Sequence, residues 1–510
     1  MVAQGVLPFQ YQAEEGSSGM TALAGLPVYL ELLQAMGLRQ SIERRVKVRE
    51  ETQGWTDAQV ICSLVLLNLA GGESVDDLGI LEADGGFAQV LRRVETHGMS
   101  QRERRALKRR WRKPRRRAVP SPSAVFRYLE AFHDEEQEGR REPGKAFIPL
   151  PGEPLLGLRR INCEVAAFVQ SHSPQGVATL DIDATLVETH KSDAFYCYKR
   201  FKAYQPLNVY WAEQELVVHS EFRDGNVPAG YEQLRVFQEA LASMPPGVGK
   251  VYHRSDTAGC QQDLLKYCAQ GRNKRFGVIE FAIGADVTPA FRAAVAELAE
   301  KDWHPIGQDP DDESSPPRQE WAEVCFVPAW AGHSKNGPDY RFLAIREPLH
   351  QLELPGLEDQ ICLPFPTMDF ADQRRYKLFG LVTNRDLPGQ ELIRWHRERC
   401  GKSEEAHAVM KEDLAGGRLP SGNFGANAAW WAIMILAFNL HAAMKRIVLG
   451  GEWAKKRMKA MRFKLIHVPG RLVRHARGLL IRLSGEHPSF QTLLDARRTI
   501  LTLAHAPPPP

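Results

Sequence analysis

Two aspartates, Asp181 and Asp183, interrupt the apolar run Val177–Val187 (VATLDIDATLV). Side chains two positions apart on a strand share a face, so both carboxylates project together. Side by side and buried, they need a cation or hydrogen-bond donors. A divalent metal site meets that need; a strand edge with both groups solvated is the alternative. In Val251–Gly259 (VYHRSDTAG) a short apolar strand runs into Arg254, Ser255 and Asp256, ahead of a small turn and a helix over Gln261–Ala269. There Asp256 either opens on a site beyond the sheet or caps the helix. In Trp395–Leu414 (WHRERCGKSEEAHAVMKEDL) Glu404 and Lys411 stand seven positions apart. On a helix that is about 700°, which brings them within about 20° of each other, whereas Glu405 and Lys411 are about 240° apart. A carboxylate and a lysine on one face can serve a metal and its phosphate; an exposed, salt-bridged helix is the alternative. Asp183, Asp256 and Glu404 together are hard oxygen donors, suited to Mg²⁺ or Mn²⁺ rather than zinc. Two such ions can activate an attacking oxygen and stabilise the leaving oxygen of a phosphodiester. Asp181 competes for the first metal position.

With these residues in place, the sequence resembles bacterial insertion-sequence transposases of the DDE type, over roughly residues 20–450. The family's signature Y-(2)-R-(3)-E-(6)-K is matched by His396, Arg399, Glu404 and Lys411, with His in place of Tyr and one extra residue between Arg and Glu. On an unbroken helix that extra residue would turn Arg399 about 140° away from Glu404, so a bulge or a helix start near Gly401 is expected. The first acid maps to Asp183 through D-x-T at 183–185, and the second to Asp256 through R-x-D at 254–256. The resemblance implies an RNase H-like catalytic domain with two Mg²⁺ (or Mn²⁺) ions on Asp183, Asp256 and Glu404. Lys411, Arg399 and His396 would hold DNA phosphates. It further implies double-stranded DNA as partner (element ends and target), strand cleavage followed by joining, and a homodimer on DNA. Two rivals stay open: a catalytically inactive, transposase-derived DNA-binding protein, and a metal-dependent nuclease that never joins.

These residues have to be positioned by a chain of 510 residues, 43% hydrophobic and 25% charged, which is ordinary globular composition and excludes collagenous, disordered and membrane classes. At roughly 100–200 residues per domain, about three units are expected. Net charge is only +4, yet Gln101–Arg117 (QRERRALKRRWRKPRRR) carries eleven Lys or Arg against one Glu, leaving the remaining 493 residues at −6. Such a segment points to a polyanion, with a solvated linker as the alternative. Arg109, Arg110, Arg112, Lys113 and Arg115 are its candidate DNA contacts. If about 6–10 phosphates are neutralised, affinity falls roughly 10³–10⁵-fold between about 50 and 200 mM salt. Eight cysteines without a CxxC pair read as reduced thiols of a cytoplasmic protein. The N-terminus lacks the pattern of a signal peptide. Ala428–Phe438 (AAWWAIMILAF) is eleven residues, short of the about 20 that a bilayer requires, and reads as a buried helix, with no membrane partner.

The expected class is α/β: an RNase H-like mixed-sheet core with a β-rich insertion, preceded by a helical DNA-binding domain. Residues 1–150 form that helical region, with helices at Thr56–Ala70, Ser74–Leu81 and Ser123–Phe132. The first pair is a weak candidate for a helix-turn-helix across Gly71-Gly72. Residues 176–289 are the first part of the core, with strands at Leu207–Trp211, Leu216–Phe222, Val251–Arg254 and Phe276–Phe281 and a helix at Tyr231–Met244. Asp256 lies 73 positions after Asp183, but Glu404 lies 148 after Asp256, so something is inserted. Residues 290–385, with strands at Trp321–Val327, Tyr340–Arg346 and Tyr376–Thr383, fit that insertion. The resemblance implies that it helps hold the DNA end, with a Trp stacked on a base. Trp321 and Trp330 are the candidates, and core packing is the alternative for both. Residues 386–450 return to the core, and 451–510 are a C-terminal helical region with a disordered Pro tail. Lys199, Lys202 and Lys335 are further DNA contacts or solvated lysines.

Overall fold

The structure, a computed structural model, describes residues 19–48, 53–112, 115–307, 319–330, 340–349, 365–370, 372, 374–475 and 478–505. Lys113, Lys335 and the Pro507–Pro510 tail therefore lie outside the described residues. Helix α1 (Asp57–Ala70) starts at Thr56, whose hydroxyl accepts from the Gln59 N–H at 3.2 Å while the Gln59 side chain accepts from the Thr56 N–H at 2.8 Å. It stops at Gly71, whose φ of +95° only glycine adopts without strain. A 3₁₀ turn (Val75–Asp77) and a short helix (Leu78–Ala83) then lead off at 94° to it. Helix α2 (Gln101–Arg109) opens on a Ser100–Glu103 capping box and buries none of its residues.

Helix α3 (Glu153–His172) fills the stretch between residues 150 and 176, to which the sequence analysis assigns no element. Pro154 sits in its first turn, where a missing N–H costs nothing. Helix α4 is Gln233–Ala242, α5 is Gln262–Ala269, α6 is Gly389–Arg397, α7 is Arg399–Ala408 and α8 is Phe424–Ala443. All of α8 except Ala432 is buried. With the π-helical turn that follows, it runs 26 residues to Leu449, long and apolar enough to cross a bilayer. The eleven-residue length argument therefore fails, but 72% of its apolar window is buried against the rest of the chain. Tyr29, Leu64, Val125, Ile161 and Leu493 join its Trp431 in one core, so the N-terminal helices, α3 and the C-terminal segment close around α8.

Among the described residues, ten strands make one mixed sheet. They are β1 (Val177–Ala184), β2 (Leu207–Trp211), β3 (Leu216–Glu221), β4 (Lys250–Ser255), β5 (Glu280–Ala285), β6 (His304–Pro305), β7 (Glu320–Val324), β8 (Arg341–Pro348), β9 (Thr367–Asp369) and β10 (Arg375–Thr383). Their order is β3-β2-β1-β4-β5-β10-β8-β7-β6, with β9 on β10. β1, β2 and β3 are antiparallel, β4 runs parallel to β1 and β5 parallel to β4. β10 returns antiparallel to β5, so the strands of residues 304–383 extend this same sheet. β5 begins at Glu280, later than the expected start at Phe276, because Gly277, at φ +61°, turns the chain before Ile279. Gly470–His475 and Gly478–Arg482 are paired antiparallel strands, not helix, and the first also pairs with Met20–Thr21.

Candidate active site

β1 and β4 are neighbours, and their parallel register sets Asp181 beside Arg254 and Ile182 beside Ser255. One step further towards their C-terminal ends, Asp183 and Asp256 come side by side, close enough that the charge on Asp183 raises the proton affinity of Asp256. Burial is the larger cause of that rise and raises Asp183 as well. Two carboxylates are thus held half out of water at one end of a parallel strand pair, from elements far apart in sequence.

Asp181 has a different partner. It is fully buried, and Arg254 grips it in a two-pronged pair, Nε to Oδ1 at 2.7 Å and Nη2 to Oδ2 at 2.9 Å. Arg254, 1% exposed, also donates to the Trp395 carbonyl at 2.6 Å and meets Glu398 at 3.2 Å. The guanidinium therefore clamps β1, β4 and α6 together, and both oxygens of Asp181 are engaged before any metal arrives.

The third element crosses the carboxylates as α6 and α7. Just inside the start of α7, Cys400 (ψ 133°) and Gly401 (φ +88°, ψ −50°) leave helical geometry, so the extra residue between Arg399 and Glu404 is absorbed in a tight turn that suits glycine. Arg399 Nη1 stands 3.7 Å from Asp183 Oδ2, and its positive charge pulls the proton affinities of Asp183 and Asp256 back down. On α7, Ser403 is buried and donates to Asp183 Oδ2 at 3.0 Å. His407, one turn on, places Nδ1 3.8 Å from the same oxygen while Asn208 meets its Nε2 at 3.3 Å. Glu404 lies about 100° round the helix from Ser403 and is exposed, though Asp183 still senses its charge. Among the described residues no three His, Cys, Asp or Glu side chains converge as metal ligands.

His396 Nε2 meets the Ser255 carbonyl at 3.0 Å and so carries its proton there. Burial pushes its pKa down to about 4, leaving a neutral ring facing inward rather than a cation facing a phosphate. A π-helical turn, Val409–Asp413, follows α7, so the ideal phase between Glu404 and Lys411 does not apply. Lys411 Nζ reaches the Leu186 carbonyl at 3.4 Å; burial and nearby Lys199 lower its pKa.

Within the basic run, Arg109 and Arg112 are exposed. Arg110 and Arg115 are structural. Arg110 Nε donates to the Gly54 carbonyl at 2.8 Å, and Arg115 pairs with Glu95 at 2.7 and 2.5 Å beneath Trp55. Trp321 packs against Gly389, where a Cβ would run into its ring, and stacks near His304 at 5.0 Å. Trp330 meets Tyr340 edge-on at 5.4 Å. Both indoles are therefore occupied by packing. Ser403, His407 and Arg254's clamp were not anticipated. Ser403 and His407 fall four apart on α7, a spacing that would have flagged one inward face.

The family described as transposase DDE domain group 1 matches residues 11–505. A cryo-EM structure of a piggyBac transposase synaptic complex with hairpin DNA aligns with a TM-score of 0.41 at 12% identity, covering 86% of this chain and 76% of that one. No curated protein matches.

Proposed function

The chain belongs to the transposase DDE domain family, group 1, and from that premise we propose that it binds the inverted ends of a bacterial insertion sequence, cuts them and joins them to target DNA. The observation that carries this reading is the meeting of Asp183 and Asp256 at one end of two adjacent parallel strands, with Arg399 and Ser403 laid across them. The strand order β3-β2-β1-β4-β5, antiparallel then parallel, supports an RNase H-like core. On this reading residues 290–385 are its β-rich insertion, and the exposed α2 belongs to a DNA-binding region.

The donor set fits a divalent ion. It is all oxygen, its charges repel one another, and protein donors satisfy only part of it: Ser403 on Asp183, and the Ala258 N–H on Asp256 at 3.0 Å. Asp183 and Asp256 would hold Mg²⁺ or Mn²⁺, two ions in all, with Glu404 as third carboxylate. When bound, such ions supply an activated attacking oxygen and a stabilised leaving oxygen. The chain's own groups do the rest. Ser403 fixes the orientation of Asp183, and Arg254 keeps Asp181 out of the ligand set. Arg399 sets a permanent positive charge beside the acids, where a scissile phosphate would enter, and Lys411 guards the flank at Leu186. Bringing two ends together calls for a homodimer on DNA, and the free thiols suit the cytoplasm.

One observation favours a second reading. Glu404 stands exposed while Arg399 leans on Asp183, as would suit an inactive relative that only binds DNA. Purified protein incubated with DNA carrying the element's ends distinguishes the readings. Cleavage and joining in Mg²⁺ that vanish in Ca²⁺ and in Glu404→Ala support the transposase. Binding without cleavage supports the silent relative, and cut ends that never join support a simple nuclease.

A further inference from the structure

β1 ends at Ala184, and three residues later Val187–Glu188 pairs with Ala203–Tyr204 to frame a loop beside the carboxylates. The loop is tied by its own backbone. The Cys197 N–H donates to the Phe201 carbonyl at 2.9 Å, the Arg200 N–H to Cys197 at 2.9 Å and the Ala203 N–H to Phe195 at 3.1 Å. Lys202 Nζ staples it from within, donating to the Ser192 carbonyl at 2.7 Å. Two large rings nevertheless face water: Tyr196 is 64% exposed and Tyr198 72%, while Cys197 between them is buried. Lys199 Nζ lies 5.7 Å from the Tyr198 ring, and Arg200 beside it is exposed. Lys411 reaches Leu186, and Lys191 Nζ meets the Pro420 carbonyl at 3.5 Å, so the loop leans on the segment that follows α7.

We propose that this loop, Tyr196–Lys202, is a platform on which unpaired bases of a DNA strand stack as it enters the carboxylate site. The proposal rests on the transposase reading and names the form of substrate. Every base offers a π-face to a phenol ring, and cations beside the rings neutralise the phosphates between stacked bases. A loop already rigid holds its rings with little ordering cost on binding. Both tyrosines point away from the core, so their removal leaves the fold intact.

The test measures binding of a fluorescent oligothymidylate and of a blunt duplex by wild type, Tyr196→Ala, Tyr198→Ala and Tyr198→Phe. Stacking predicts that each alanine variant loses about 5- to 150-fold in oligothymidylate affinity. Tyr198→Phe should keep it, and blunt-duplex binding should not change. Equal oligothymidylate binding by wild type and both alanine variants would overturn the platform while leaving the transposase reading intact. So would alanine variants that change the oligomeric state instead, which would make the rings a contact between copies. Failure of wild type to bind either DNA would sink both readings.

Discussion

Asp181 and Asp183 leave the same face of β1, yet their surroundings divide the work between them. The buried Arg254 takes both oxygens of Asp181, whereas Asp183 has one hydroxyl donor and a neighbouring acid. Removing one partner of a buried pair strands the other charge, which costs about 3–5 kcal/mol. Asp181→Asn is therefore expected to lower the unfolding free energy by about that amount, read by urea titration. Asp183→Asn should change stability by far less and abolish DNA cleavage. A folded, active Asp183→Asn protein would transfer the metal role elsewhere. In the sequence both acids look alike, since Arg254 lies 73 positions after Asp181 and its grip exists only once β1 and β4 pair. Ser403 and His407 were hidden for a related reason. A hydroxyl and a neutral imidazole on a helix carry no charge pattern to mark them, while Glu404 and Lys411 did.

Among elements, the break near the start of α7 was legible because one surplus residue in a spaced pattern must go somewhere, and Gly401 offered the place. Its φ of +88° with ψ −50° is a conformation that costs a side-chain-bearing residue about 1–3 kcal/mol. Gly401→Ala should lower thermal stability accordingly and depress cleavage, because the turn sets Arg399 against Ser403 over one carboxylate. Unchanged melting and cleavage would mean that the turn relaxes freely. Helix α1 and most strands were equally readable from their apolar runs, whereas the twenty-residue α3 was not. The paired strands Gly470–His475 and Gly478–Arg482 were not, since the first has its other partner, Met20–Thr21, far earlier in the chain. Nor could the run Gln101–Arg117 be sorted by charge alone, because Arg115 spends its fork on Glu95 and its face on Trp55. Arg109→Ala combined with Arg112→Ala should therefore weaken DNA binding and reduce the salt slope by roughly 2, with the melting temperature unchanged. Arg115→Ala should destabilise the fold instead. Anisotropy titrations across salt, paired with thermal melts, read both effects.

At the scale of the whole molecule, the sheet and the core around α8 each enclose histidines that cannot easily charge. Burial pushes His253 between β1 and α4 down to about 4, and His441 on α8 to about 3; Phe237 stacks on the first, and the Tyr29 hydroxyl stands 3.2 Å from the second. His396 and His407 beside the site are held at about 4. Unfolding releases each ring to water, where an imidazole titrates near 6.5. Between about pH 4 and 6.5 the unfolded chain therefore binds protons that the folded chain refuses, so stability must fall as the pH falls through that window and be complete above it. Each such ring contributes a slope of up to about 1.4 kcal/mol per pH unit. His441→Gln removes one ring from the core around α8. Whatever it does to stability at neutral pH, the slope of unfolding free energy against pH between about 4 and 6.5 should drop by about one proton. Urea titrations at a series of pH values measure that slope directly. An unchanged slope would mean that His441 is protonated in the folded chain, and that α8 tolerates a buried charge opposite Tyr29.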